Sequence, residues 1–239
     1  MNLVVDYGNS FAKVGVFDQY ELVNQHTFSS SEELKYFLQN FSGESFILSS
    51  VTHENTAVMK WVSHVKRKFI LTSSLPLPIH NLYATPQTLG VDRIAGVCGA
   101  RQKFPKSNCL IIDAGTCITY DFLDREGKYH GGSISPGLKM RFQAMNTFTA
   151  KLPLADIVEN PPLIGTTTES CLQSGAIHGM TEEIKGIIGE YQREFDGLQV
   201  ILCGGDARFF ENKLKAPIFA IPELVLSGLN SILIYNVGG

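Results

Sequence analysis

The sequence predicts an α/β fold made of two copies of one domain, and three observations carry that reading. Short apolar strands alternate with helical stretches along the whole chain, which indicates largely parallel sheets with helices on their faces. A strand–Asp–turn–strand segment occurs twice, as LVVDYGNSFAKVGVF from Leu3 and as LIIDAGTCITYDFL from Leu110. The two aspartates, Asp6 and Asp113, are 107 residues apart, a little under half of the 239-residue chain. The expected domains are residues 1–106 and 107–239, with a ligand cleft between them. The last helix is a candidate to pack back on the first domain.

In the first half, Leu3–Val5 is a strand that stops at Asp6, and Ala12–Phe17 is the next. Ser30 and Glu33 have the spacing of a capping box that opens an amphipathic helix running through Phe41. Phe46–Leu48 is a buried strand, Asn55–Lys68 has helical spacing, and Phe69–Leu71 is a strand. Thr72–Thr88, rich in Ser, Pro and other polar residues, reads as loop. Gly90–Phe104 reads as helix. In the second half, Leu110–Ile112 and Ile118–Leu123 are strands, with Gly127 in the turn beyond. Gly131–Pro136 opens the string GGSISPG and reads as a glycine-rich turn. Helices are expected at 137–149 and 168–194. A strand at Val200–Leu202, the string Gly204-Gly205-Asp206 and a final apolar helix at Glu223–Tyr235 complete the chain.

Composition narrows the function classes. Apolar residues make up 44% and charged residues 18%, with a net charge of −3. The densest basic stretch is Lys66-Arg67-Lys68, which argues against a nucleic-acid partner. No signal-peptide pattern opens the sequence, and no apolar run reaches the ~18–20 residues that span a bilayer. A cytoplasmic protein without a membrane partner is expected. The five cysteines are odd in number and show no CxxC spacing, so neither a disulfide framework nor a zinc site is indicated.

The residues that can carry chemistry lie where strands end. In DYGNSFAK, Asp6–Lys13, an aspartate at the carboxyl end of a strand precedes a tight turn. Gly8 is expected to supply positive φ and close backbone approach. The N–H groups of Asn9 and Ser10 can cradle phosphate oxygens, and Lys13 adds positive charge. Asp6 is a hard-oxygen ligand suited to Mg²⁺, directly or through water. A plain hairpin turn would use the same residue types. DAGT, Asp113–Thr116, repeats the device, and the pair is more specific than either copy. Gly204-Gly205 follows a strand and would let a nucleotide base and ribose lie against the backbone. In Gly90-Val91-Asp92-Arg93, an acid in the first helical turn is favoured by the helix dipole, so a helix-start role and a catalytic role for Asp92 both stay open. Arg93 is unfavourable at that end and hints at an anionic partner. Neither a Walker A pattern nor a G-x-G-x-x-G fingerprint is present, which argues against P-loop kinases and dinucleotide enzymes.

Taken together, DxGNSxxK, Tyr83, GVDR at Gly90–Arg93, DAGT, GGxIxPG at Gly131–Gly137, G-x-x-T at Gly165–Thr168 and the late Gly-Gly-Asp resemble the type III pantothenate kinase family. Order and spacing match from residue 1 to about 235. The resemblance implies duplicated actin-like (ribonuclease H-like) domains with a nucleotide cleft. It implies ATP-dependent phosphorylation of pantothenate to 4'-phosphopantothenate, the first step of coenzyme A biosynthesis. ATP, Mg²⁺ and a monovalent cation, K⁺ or NH₄⁺, come with it, as does a homodimer. Carried over by motif, Asp6, Tyr7, Gly8, Asn9, Ser10, Phe11, Ala12 and Lys13 match the ATP-phosphate segment, and Thr116 matches a further ATP contact. Asp92 matches the catalytic base. Tyr83, Gly90, Val91, Asp92, Arg93 and Thr168 match pantothenate-contacting positions, and Asp113 matches a K⁺ ligand. One departure is Thr167, where the family commonly has Asn, which puts the detail of the pantothenate pocket in question. Two alternatives stand beside this reading: another actin-fold small-molecule kinase or phosphatase, and a non-enzymatic regulatory relative.

Overall fold

The computed structural model describes residues 1–8, 11–50, 55–214 and 217–238. The chain forms two compact units. The first comprises Met1–Lys106, Leu123–His130 and Glu223–Gly239; the second comprises Ser107–Phe122 and Gly131–Pro222.

Strands β1 (Asn2–Tyr7), β2 (Ala12–Asp18), β3 (Glu21–Phe28), β4 (Ser45–Ser50) and β5 (Arg67–Ile70) form one sheet in the order β3-β2-β1-β4-β5. β1 is central, antiparallel to β2 and parallel to β4. Its residues Leu3, Val4 and Val5 are all fully buried, as expected of a strand covered on both faces. The second sheet contains β6 (His80–Asn81), β7 (Cys109–Ala114), β8 (Cys117–Leu123), β9 (Lys128–Pro136), β10 (Gln199–Cys203) and β11 (Phe219–Ala220), in the order β11-β10-β7-β8-β9-β6. With β6 set aside, each sheet has its half's first strand in the middle, the second and third to one side, and the fourth and fifth to the other. The repeated sequence segment is thus one corner of a repeated topology.

The helices are α1 (Ser31–Gln39), α2 (Asn55–Trp61), α3 (Val91–Lys103), α4 (Leu138–Thr147), α5 (Thr168–Glu194), α6 (Ala207–Glu211) and α7 (Leu224–Val237). Leu34 and Leu38 of α1 and Val58 of α2 pack on one face of the first sheet with Leu3, Val5, Phe46 and Leu48. In the second unit, α5 lays Leu172, Ala176, Met180, Ile184 and Ile188 against Leu110, Ile112, Ile118 and Tyr120. That helical spacing is the apolar stripe of an amphipathic helix.

Several elements differ from the sequence reading. Ser30 is the N-cap of α1, but its side chain makes no capping bond and the helix ends at Gln39. α2 stops at Trp61 because the chain tightens into turns: Val65 N–H donates to the Val62 carbonyl at 3.0 Å, and Lys68 Nζ donates to the freed carbonyls of Ser63 and Val65 at 3.0 and 2.8 Å. β5 accordingly begins at Arg67, two residues before the expected strand. β3 was not anticipated, since its polar, half-exposed residues carry little apolar signal. The stretch Thr72–Thr88 is not all loop: it holds β6 and a 3₁₀ turn at Pro86–Thr88. Gly131–Pro136 is not a turn but the second half of β9. The glycines there let β9 lie flush on β8, since a Cβ on Gly132 would sit 1.7 Å from the Tyr120 carbonyl oxygen.

α7 packs on α3 as well as on β1 and β4, and the two helices meet backbone to backbone. A Cβ on Gly228 would lie 1.7 Å from the Ala95 carbonyl oxygen, and one on Gly99 would lie 2.4 Å from that of Leu224. On α5, by contrast, a Cβ on Gly186 would meet no atom within 4 Å. Gly228→Ala should therefore destabilise the protein by on the order of 2–4 kcal/mol through overpacking. Gly186→Ala should stabilise it by roughly 0.5–1 kcal/mol through helix propensity alone. Urea denaturation of the two variants checks the opposite signs.

Candidate active site

Asp6 sits at the carboxyl end of β1, where the sheet register sets its neighbours. Across the antiparallel ladder it faces Lys13, and across the parallel ladder it faces Ser49. The Ser49 hydroxyl donates to Asp6 Oδ1 at 3.1 Å, and Ser49 itself is fully buried. Burial pushes the Asp6 carboxyl up to about 6, opposed by the Ser49 hydrogen bond; the charge of Asp92 adds to the rise, and Lys13 works against it. A carboxylate in such surroundings is short of positive charge, and a bound cation would supply it. One carboxylate together with phosphate and water oxygens suffices for Mg²⁺, which keeps much of its hydration. The turn beyond closes with Gly8 N–H donating to the Phe11 carbonyl at 3.0 Å. Gly8 does not have the positive φ expected of it. Asn9 and Ser10, the expected phosphate cradle, lie outside the described residues. Tyr7 and Lys13 are half-buried, Phe11 is exposed, and Ala12 is core.

The same unit contains the segment around Asp92. Gly90 is the N-cap of α3 and makes no side-chain cap. Half-buried Val91 and exposed Asp92 begin the first turn. Asp92 Oδ1 accepts from the Arg93 N–H at 2.9 Å, which satisfies one orphan donor of the helix start. Its charge also reaches Asp6. Arg93 turns inward: it is only 8% exposed, and its guanidinium lies over the Tyr83 ring at 5.7 Å. Tyr83 in turn stacks on Tyr129, with ring centroids 6.2 Å apart and planes within 7°. Tyr129 is fully buried on β9. The segment bearing Tyr83 is strapped to that strand by two backbone bonds of 2.9 Å, His80 N–H to Gly127 O and Leu82 N–H to Tyr129 O. Arg93, Tyr83 and Tyr129 therefore form one stack beneath the helix start that carries Gly90, Val91 and Asp92.

In the second unit, Asp113 occupies on β7 the place Asp6 has on β1. Its neighbour on β10 is Cys203. Gly204 follows with φ of 94°, and a Cβ there would lie 2.4 Å from both Asp113 Oδ1 and the Ala114 carbonyl oxygen. The freedom of Gly204 is thus spent on closing over the Asp113 strand end, whereas a Cβ on Gly205 would face open space. Asp206 N–H donates to the Ala114 carbonyl at 2.9 Å. Burial raises the Asp206 carboxyl, and Lys139 lowers it. Thr116, at the tip of the turn, is exposed. The corner around Asp113 offers oxygen donors, a carboxylate and main-chain carbonyls, which suit a hard cation.

Thr168 opens α5 and is exposed, and Thr167 is its N-cap. The Thr167 hydroxyl accepts from Ser170 N–H at 3.2 Å, and Ser170 Oγ accepts from Thr167 N–H at 2.9 Å, a closed capping box. Asn and Thr are both strong N-caps, so the departure at Thr167 has a local structural use. Sequence reasoning missed Ser49 and Tyr129. Ser49 was detectable, because it follows the apolar run of the strand that pairs in parallel with β1. Nothing local marks Tyr129, which matters only through the stack it supports. Cys98, Cys109 and Cys203 are buried, Cys117 is half-buried and Cys171 is exposed.

With this geometry in view, comparison with known proteins is direct. The model of the type III pantothenate kinase family matches residues 2–190. The type III pantothenate kinase of Phocaeicola vulgatus is 44% identical over 239 residues, covering 99% of each chain. Among solved structures, a Campylobacter jejuni protein described as a Baf family transcriptional activator superposes with a TM-score of 0.64 at 21% identity, over 99% of this chain and 100% of that one. The activator of 2-hydroxyisocaproyl-CoA dehydratase from Clostridium difficile, with bound ADPNP, gives 0.52 at 13% identity, over 98% and 93%. At such identities these structures establish the fold alone, which is the duplicated actin-like one. The full-length similarity to the kinases goes further: this chain is a member of the type III pantothenate kinase family.

Proposed function

We infer that the protein transfers the γ-phosphoryl group of ATP to the primary hydroxyl of pantothenate, yielding 4'-phosphopantothenate and ADP at the entry to coenzyme A biosynthesis. The observation that carries this reading is the pairing of two carboxylates within one unit of a family member. Asp6 stands between Lys13 and Ser49, and Asp92 is within its electrostatic reach. Phosphoryl transfer depends on alignment and charge neutralisation more than on covalent help from the protein. Mg²⁺ held at Asp6, directly or through water, would neutralise phosphate charge. Lys13 and the turn from Asp6 to Lys13 hold the phosphates, and Thr116 contacts ATP. Asp92 accepts the hydroxyl proton as oxygen attacks phosphorus and the bond to the β–γ bridging oxygen breaks. Arg93, oriented by Tyr83, presents a planar fork suited to the pantothenate carboxylate. Gly90 and Val91 belong to the acceptor site, Thr168 is a further pantothenate contact by its motif, and Asp113 would hold K⁺ or NH₄⁺. The homodimer and the cytoplasmic location belong to the same proposal. Exposed Phe148, Leu154, Leu163 and Ile164 in the second unit supply apolar surface for a partner copy.

Asp92→Asn should lower turnover by about 10²–10⁴-fold. Calorimetric affinity for pantothenate with a non-hydrolysable ATP analogue should change little, because the lost interaction belongs to the transition state. Near-parent turnover in the folded variant would remove Asp92 as the base.

The raised Asp6 value sets a pH dependence. The folded protein binds this proton more tightly than the unfolded chain does, so there is no penalty below pH 4, and stability is lost as pH rises from about 4 to about 6. Above that window the ionised carboxylate costs on the order of 2–3 kcal/mol. Asp6→Asn should therefore raise the melting temperature of the ligand-free protein at pH 8 and leave it near parent at pH 4, while abolishing activity. A melting-temperature difference independent of pH would show that the carboxylate is already neutralised in the free protein.

K⁺ in place of Na⁺ at constant ionic strength should raise the rate, and Asp113→Ala should erase the difference. Initial-rate assays in the two salts decide it, and equal parent rates count against a cation site at Asp113.

A further inference from the structure

Three side chains of the second unit, none of them in a site motif, converge beside the Asp113–Thr116 turn. Tyr120 lies on β8, the strand that leaves the turn. Arg141 lies early in α4, and Glu183 lies midway along α5. The Tyr120 hydroxyl donates to Glu183 Oε1 at 3.0 Å. Arg141 Nη2 donates to the other carboxylate oxygen, Oε2. The same guanidinium donates through Nε to the Pro136 carbonyl at 2.9 Å and through Nη2 to Ser135 Oγ at 3.1 Å. The charged side chains retain only 21% and 25% of their exposure. Burial and the adjacent carboxylate hold the Tyr120 hydroxyl far above its ordinary titration range, so it remains a donor.

A partly desolvated ion pair among apolar neighbours is a poor way to gain stability, since well-packed apolar side chains do as well or better. Its value lies in what it fixes. Arg141 pins Ser135 and Pro136, and the next residue is the backstop of the turn. Gly137 N–H donates to the Thr116 carbonyl at 3.2 Å. A Cβ on Gly137 would lie 2.3 Å from the Gly115 carbonyl oxygen and 2.4 Å from that of Thr116. Glu183 thus ties together the strand leaving the turn, through Tyr120, and the corner supporting it, through Arg141.

We propose that Glu183 and Arg141 are positioning residues for the nucleotide and its monovalent cation, setting Gly115 and Thr116 through the Ser135–Gly137 corner without touching either ligand. This rests on the assignment of Thr116 to ATP and Asp113 to the cation. Supporting groups of this kind are typically worth 10–100-fold in ligand affinity or activity.

The test is steady-state kinetics with each substrate varied in turn, in K⁺ and in Na⁺, on the full chain, together with calorimetric affinity for a non-hydrolysable ATP analogue, which should weaken in step with KM. Glu183→Gln and Arg141→Met should each raise KM for ATP on the order of ten-fold and reduce the advantage of K⁺ over Na⁺, with KM for pantothenate as in the parent. The double variant should be no worse than the more affected single one, because both changes break one network. If Glu183→Gln does not fold, Tyr120→Phe, which deletes one hydroxyl, should move KM for ATP in the same direction by a smaller factor. Folded variants with the parent KM for ATP, or losses shared equally by both substrates, overturn the proposal. Thr116→Ala separates the two levels. A raised KM for ATP in Thr116→Ala with none in Glu183→Gln removes the positioning role. The reverse pattern removes the assignment of Thr116 to ATP.

Discussion

A carboxylate built into the end of a buried strand is the constraint around which the first unit is organised. Asp6 cannot move away from its strand, because Leu3, Val4 and Val5 fix β1 on both faces. Its relief comes from the two ladder neighbours, a cation at Lys13 and a donor at Ser49. That relief is incomplete, since burial still dominates. Incomplete compensation makes a site attract a missing positive charge, and it is a familiar source of tension between stability and activity.

The second copy of the same topology solves a different electrostatic problem. Asp113 has no lysine across the hairpin: the second turn, closed by Gly115 N–H donating to the Cys117 carbonyl at 3.0 Å, is one residue shorter than the first, so Thr119 stands where Lys13 does. Around Asp113 the chain instead packs glycines, Gly204 against Asp113 and Ala114 and Gly137 against Gly115 and Thr116, where a side chain would not fit. One half therefore sets a carboxylate beside an ammonium, and the other sets a carboxylate beside closely packed glycine backbone. Duplication supplied two equivalent strand ends, and the residues beside them differentiated the two.

Much of this was legible in sequence because the relevant signals are local. A run of apolar residues stopped by Asp and a turn is readable wherever it occurs, and its recurrence at Leu110 correctly indicated the repeated sheet order. The start of α3 at Gly90 was readable for the same reason. What failed was information held elsewhere in the chain. GGSISPG has turn composition, but Gly132 serves contact with β8 and Gly137 contact with Gly115 and Thr116 rather than a change of direction. Ser30 and Glu33 have capping-box spacing, yet at Ser30 only the main-chain carbonyl is used, accepting from Leu34 N–H at 3.2 Å. Thr167 and Ser170 form a working box without the usual acid. The inward turn of Arg93 onto Tyr83, and the support of Tyr83 by Tyr129, depend on residues far apart in sequence.

The placement of α7 bears on how the chain is made. The first unit begins at Met1 but is completed by Glu223–Gly239, and α7 covers α3, β1 and β4. During synthesis from the amino terminus, the glycine-bearing face of α3 stays uncovered until Glu223–Gly239 has emerged. All of Ser107–Pro222 emerges before that, so the second unit can close its core first. The nascent chain must therefore carry an unfinished apolar surface while residues 107–222 are made, the situation in which partly folded intermediates become prone to aggregation. Loss of the last helix would leave the molecule permanently in that state.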